Sequence, residues 1–233
     1  MHKGVALSAS LMCFDWLNAG AQLRILEEEG VDYLHFDIID GKFVPDFTMG
    51  TSIIDVFRAN TTLPSDYHLM VDEPGRLGNT FGVKPGEIYT IHQECCHDLH
   101  RELVTLRKRG VKAGVALSPA TPLEVLEYVI HNVDVVMLMM VDPGYKGQPL
   151  VPQVLSKVEK LRRWLKELKL DVRISVDGHV NPSTIPEVVA AGADILVLGS
   201  TGLFRRDVPL ARALAEIREA IDKGIAQRER AAA

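Results

Sequence analysis

Short apolar runs rich in β-branched residues return about every 20 to 35 residues along the chain, with amphipathic stretches between them. This recurrence is the pattern of repeated βα units. Eight such runs are present, at 5–11, 33–39, 67–71, 88–92, 113–117, 135–141, 172–176 and 195–198. Each is brief and nearly continuous in apolar character, as a parallel strand covered on both faces must be. The segments 19–29, 99–109, 122–131, 150–168 and 183–191 place apolar residues at helical spacing and charges opposite them, and are the expected outer helices. Gly30, Gly110 and Gly192 precede strands, where a left-handed helix C-cap turns the chain. The stretch 209–230 reads as an amphipathic closing helix with a charged, frayed tail.

No Ser-, Pro- or Gly-rich linker divides the sequence, so residues 1–233 are expected to form one domain. The fold expected of eight βα units in this length is a single (β/α)8 TIM barrel. A doubly wound open sheet is the competitor, weakened because the opening strand carries no G-x-G-x-x-G. With 47% hydrophobic and 24% charged residues the chain can bury a substantial core. Its net charge of −5 offers no broad basic field for nucleic acid or anionic lipid. The longest apolar run, 135–141, is too short to span a bilayer. Cys13, Cys95 and Cys96 form no metal-finger spacing, and the adjacent pair would need a strained ring to bridge. Reduced, buried thiols in a cytoplasmic protein are the expectation.

Polar residues at the C-terminal ends of these runs carry the functional information, because that face of a barrel builds the active site. In the second run His35, Asp37 and Ile39 alternate onto one face. The third run adds His68 and the seventh ends on Asp177. A single strand histidine is more often a hydrogen-bonded core residue, and a single strand-end aspartate often caps the next helix. Two of each on three strand ends change that balance, since buried carboxylates need a partner. His35, Asp37, His68 and Asp177 are therefore candidate ligands of one divalent ion, and imidazole with carboxylate suits zinc, iron, manganese or cobalt.

Glycine clusters follow the last three runs: Gly144-Tyr145-Lys146-Gly147 after the sixth, Gly178-His179 after the seventh and Gly199-Ser200-Thr201-Gly202 after the eighth. Any one could be a tight turn. Three on consecutive strand ends point to backbone N–H groups gathered around an anion, and so to a phosphorylated ligand.

These segments resemble the ribulose-phosphate 3-epimerase family from Ser8 to Phe204. The likeness rests on Ser8-Ala9-Ser10-Leu11-Met12, His35-Phe36-Asp37-Ile38-Ile39-Asp40-Gly41-Lys42-Phe43-Val44-Pro45, His68-Leu69-Met70-Val71, Ala116-Leu117-Ser118-Pro119, Val141 through Gln148, and Val176-Asp177-Gly178-His179. The resemblance implies the same four metal ligands, with Asp37 and Asp177 as acid and base on opposite faces of C3 of a ketose phosphate. It further implies substrate contacts from Ser10, His68, Met70 and Met139, and phosphate contacts from Gly144, Tyr145, Lys146, Gly147, Gly178, His179, Gly199 and Ser200. A homo-oligomer is implied as well. The chemistry agrees: a proton beside a ketone is weakly acidic, so two carboxylates need a positive centre that stabilises the enediolate.

Several positions depart from the family pattern: Ile39 for methionine, Asp46 and Ser118 for asparagine, Met140 for threonine, and His179 for the second glycine of a pair. The changes at Ile39, Met140 and His179 are expected near the bound sugar, and the segments around Pro143, Gln148 and Leu203 look more like the allulose-6-phosphate 3-epimerase branch. D-Ribulose 5-phosphate, D-allulose 6-phosphate and a tetrulose phosphate are the sugars in question. A Schiff-base aldolase would need a lysine near a strand's C-terminal end, and none is found there. A non-catalytic phosphosugar-binding protein is the reading from another class.

Overall fold

In the computed structural model, which describes residues 1–144 and 147–232, the period-two pattern of each run becomes a barrel with two differently used faces. The strands are β1 (Ala6–Ser10), β2 (Tyr33–Ile39), β3 (Ser65–Met70), β4 (Ile88–His92), β5 (Lys112–Leu117), β6 (Val135–Met139), β7 (Arg173–Asp177) and β8 (Ile195–Leu198). All pair in parallel and in chain order, and β8 returns to β1 through Ala6↔Ile195 to Ala9↔Leu198, which closes the ring. The single (β/α)8 barrel expected from the sequence is the fold.

One set of alternating residues, including Leu34, Phe36, Leu69, Ile91, Leu138 and Leu196, points outward into the large core shared with the helices. Burying a Leu, Ile or Phe side chain there contributes roughly 1.5–3 kcal/mol each. The other set fills the barrel in layers. Ala6, Tyr33, Ile88, Val135 and Ile195 form an apolar floor. Above it lie buried polar residues, among them Ser8, His35, Asp66, His68, Thr90 and Ser175. An apolar bottom and a polar upper half leave the C-terminal mouth as the place for chemistry.

The outer elements are α1 (Ala19–Glu28), α2 (Thr51–Ala59), α3 (Leu99–Lys108), α4 (Gln153–Leu168), α5 (Ile185–Ala191) and α6 (Leu210–Ala232). The glycine caps fall as expected. Gly30 adopts φ +68°, and Val31 N–H reaches back to Leu26 O at 3.0 Å, satisfying an orphan carbonyl at the end of α1. Aspartates at the strand entries then tie neighbouring strands together: Asp32 accepts Leu7 N–H (2.9 Å), Asp134 accepts Ala113 N–H (2.9 Å) and Asp194 accepts Ile174 N–H (2.8 Å).

Three expectations are corrected. Segment 122–131 is not an α-helix but two 3-10 turns, Leu123–Leu126 and Ile130–Asn132. It is short, carries β-branched Val125, Val129 and Ile130, and leaves Val125 and Tyr128 exposed, so too little apolar surface is gained to sustain a longer helix. The charged C-terminal stretch continues as helix to Ala232, where Arg228 donates to the carbonyls of Val189 and Ala193. Cys13, Cys95 and Cys96 form no disulfide, yet Cys13 is only partly buried. Burial raises the thiols of Cys95 and Cys96 to about 12 and about 11.

Candidate active site

Strand register places the charged residues before any loop is considered. Ser10 pairs with His35, Asp37 with His68, and Met139 with Asp177 across adjacent strands. His35 and His68 are fully buried, and the carboxylates stand above them. One ligand atom from each of His35, Asp37, His68 and Asp177 lies within 4.8 Å of the others, the only such cluster found among the described residues. His68 Nδ1 sits between Asp37 Oδ1 (3.3 Å) and Asp177 Oδ2 (3.4 Å), and His35 Nε2 is 3.3 Å from Asp37 Oδ1. Asp37 Oδ2 also accepts the Ser10 hydroxyl at 2.7 Å, while the Thr48 hydroxyl donates to the Asp37 carbonyl.

These donors fit a divalent ion. His35 Nε2 is buried without a hydrogen-bond partner although it faces the cluster. Its Nδ1 is 2.8 Å from Asp66 Oδ2, which also accepts the Ser8 hydroxyl at 2.7 Å. A carboxylate accepts there, so Nδ1 carries the proton in a neutral ring and Nε2 offers a lone pair inward.

Opposing effects set the charges. Burial by itself disfavours imidazolium at His35, but Asp37 and Asp66 hold its pKa well above the ordinary value. Burial likewise acts against charge on His68, outweighed by Asp177 and Asp37. Burial would push the Asp37 carboxyl up, yet His35 and His68 hold it far below the usual carboxylate range. At His92 nothing outweighs burial, and the ring falls to about 4 despite Glu94 beside it.

Above this cluster a cleft opens, lined by Ser10, Asp37, Met70, Met139 and Asp177 together with Gly144, Gly147, Gly178, His179, Gly199 and Ser200. The three glycine turns expected to hold an anion thus share one cavity with the two aspartates. Gly178 is required as glycine: its φ is +97°, and a Cβ would sit 2.5 Å from Val141 Cγ2. Tyr145 and Lys146 lie outside the described residues. His68 is fully buried beneath the two carboxylates and does not line the cleft.

His179 lines the cleft at φ +53°, with Nδ1 2.9 Å from Gln148 O, joining the turns after β6 and β7. Ile39 packs under the same mouth with Val44 and Met70. Met140 corrects an expectation: it is fully buried in the outer core, away from the cleft, because it falls on the opposite phase of the alternation from Met139. Met12, Val141, Asp142, Gln148 and Thr201, which fall inside the sequence motifs but are not among the candidate site residues, also line the cleft, as does Cys13, and His92 and Glu94 stand behind His68. His92-Gln93-Glu94 repeats at the end of β4 the spacing of His35-Phe36-Asp37, which was the available signal.

A closed parallel barrel with two carboxylates over two buried imidazoles, facing three glycine turns, defines a (β/α)8 protein with a candidate metal centre and an anion-suited cleft. Residues 6–204 match the Ribulose-phosphate 3 epimerase family, and the chain belongs to that family of isomerases. It is 40% identical over 215 residues to a ribulose-phosphate 3-epimerase of Bacillus subtilis, covering 92% of this chain and 98% of that one. The Escherichia coli K12 protein of the same name is 37% identical over 199 residues, covering 85% and 88%. Among solved structures, thiamine phosphate pyrophosphorylase from Pyrococcus furiosus superposes with a TM-score of 0.62 at 13% identity over 96% of this chain and 98% of that one, a likeness of fold alone. No helix among the described residues is long and apolar enough to cross a membrane.

Proposed function

We propose that the protein is a metal-dependent ketose-phosphate 3-epimerase that interconverts D-ribulose 5-phosphate and D-xylulose 5-phosphate through Asp37 and Asp177. The observation that carries this reading is the pair of carboxylates flanking His68 Nδ1 in a cleft that three glycine turns also line. Asp37, held ionised and fixed by Ser10, removes or returns the C3 proton on one face. Asp177 serves the other face, and the roles exchange for the reverse substrate. His35, Asp37, His68 and Asp177 would hold one divalent ion, either Zn, Fe, Mn or Co, which would supply positive charge where negative charge develops beside C3. Met70 and Met139 give the reacting centre a dry, polarisable wall. The phosphate is bound by backbone N–H groups of the turns containing Gly144, Tyr145, Lys146, Gly147, Gly178, His179, Gly199 and Ser200.

Chelation is expected to abolish turnover, with recovery on adding Fe, Zn, Mn or Co, and ribulose 5-phosphate is expected to outperform allulose 6-phosphate and a tetrulose phosphate. A preference for allulose 6-phosphate would move the assignment to that branch, for which the segments around Pro143, Gln148 and Leu203 speak. An inert protein that binds sugar phosphate without metal would replace catalysis with binding. A Schiff-base mechanism finds no support, since no lysine among the described residues lines the cleft; covalent trapping by borohydride with substrate would reverse that conclusion.

A further inference from the structure

Behind the cluster, His68 Nε2 meets His92 Nε2 at 2.9 Å, with the rings stacked at 5.0 Å and 29°. Two imidazole nitrogens at this distance share one proton, so one is N–H and the other a lone pair. Which is which is decided further out. His92 Nδ1 lies 3.1 Å from Glu94 Oε2, and the other oxygen of Glu94 accepts Ser118 N–H at 2.7 Å and the Thr121 hydroxyl. Ser118 O and Pro119 O in turn accept Lys157 Nζ from α4 at 2.9 and 3.4 Å. A carboxylate engaged in this way only accepts, so His92 carries its proton on Nδ1 and turns a lone pair toward His68. His68 must then donate from Nε2, so Nδ1, which faces Asp37 and Asp177, is the nitrogen whose proton a divalent ion would replace.

We infer that His92 and Glu94 are positioning residues that fix His68 as an Nδ1 metal ligand, with the direction of the hydrogen-bond chain set by Glu94, which follows β4 and is anchored to the loop after β5 through Ser118 and Thr121. This rests on the metal reading of the site. His35 receives the same orientation directly from Asp66; at His68 it passes through a second ring. Ser118 takes part through its backbone N–H, so its side chain is not needed for the chain of bonds. Reversing any one member reverses all of them, and a proton on His68 Nδ1 would block coordination.

The test titrates chelated, metal-free protein with Co2+ and follows its visible absorption. The wild type is expected to bind, and His92→Phe, which keeps a ring but neither accepts nor donates, is expected to bind roughly 10- to 100-fold more weakly. His92→Gln, which can accept from His68 and donate to Glu94, is expected to recover most of the affinity. Equal affinity in all three proteins overturns the inference while leaving the metal site standing, whereas a wild type that takes up no Co2+ overturns both. Should His92→Phe fail to fold, nitrogen-15 NMR of the Zn2+-loaded wild type decides the matter. Protons on His92 Nδ1 and His68 Nε2 are expected, and a proton on His92 Nε2 overturns the inference.

Discussion

Asp37 stands where burial and charge oppose each other, and the imidazoles around it decide the outcome. In the metal-free protein His35 and His68 titrate above the ordinary imidazole value of 6.5, and both contact Asp37. Their stabilising contribution is complete below that unperturbed value and is lost as pH rises through the raised ones. The depressed Asp37 acts in the other sense, stabilising above the ordinary carboxylate range and losing its effect as pH falls. A metal ligand must be deprotonated, so uptake of a divalent ion is expected to release protons at pH 7 and to tighten as pH rises. Calorimetric titration in two buffers of different ionisation enthalpy measures the number released; none would contradict the charge states described. His35 and Asp37 were legible in the sequence because alternation placed them on one inward face. His92 carried a weaker signal, the His-x-Glu spacing with Glu94, and nothing in the sequence distinguishes a histidine that packs in the core from one that hydrogen-bonds to another histidine.

Elements were legible where a single periodicity governed them. β2, β4 and β8 coincide with their runs, and α1 and α3 end within one residue of expectation. The reading failed in 122–131, where helical spacing was present but the segment lacked the length and helix-favouring residues to hold it. It also failed at Met140, because counting an apolar run says nothing about where the strand leaves the barrel. The turns after β6 to β8 are the elements assigned to the phosphate, and Gly178 tests them. Gly178→Ala forces a Cβ onto Val141 at a positive φ. Stability is expected to fall by roughly 1–3 kcal/mol. The KM for ribulose 5-phosphate is expected to rise about tenfold, with a smaller change in kcat, as the loss of about 1.4 kcal/mol of binding requires. An unchanged KM would remove this turn from the phosphate site.

At the scale of the whole molecule, closure of β8 onto β1 makes the inner layers and the outer core one structure. Residues 1–233 are therefore proposed to unfold as a single domain, giving one calorimetric transition; two separated transitions would contradict that. The homo-oligomer that the family resemblance implies is tested by sedimentation of the metal-loaded protein. Closure also brings β2 and β7, far apart in sequence, to one end of the barrel, and the proposed chemistry depends on that meeting. Proton exchange reports it most directly. Wild-type protein with ribulose 5-phosphate in deuterium oxide is expected to yield xylulose 5-phosphate carrying deuterium at C3 by NMR. Asp37→Asn and Asp177→Asn, each still folded, are expected to lose roughly 100-fold or more of the conversion. Conversion at the wild-type rate in either variant, or product without deuterium at C3, would contradict proton transfer by these two aspartates.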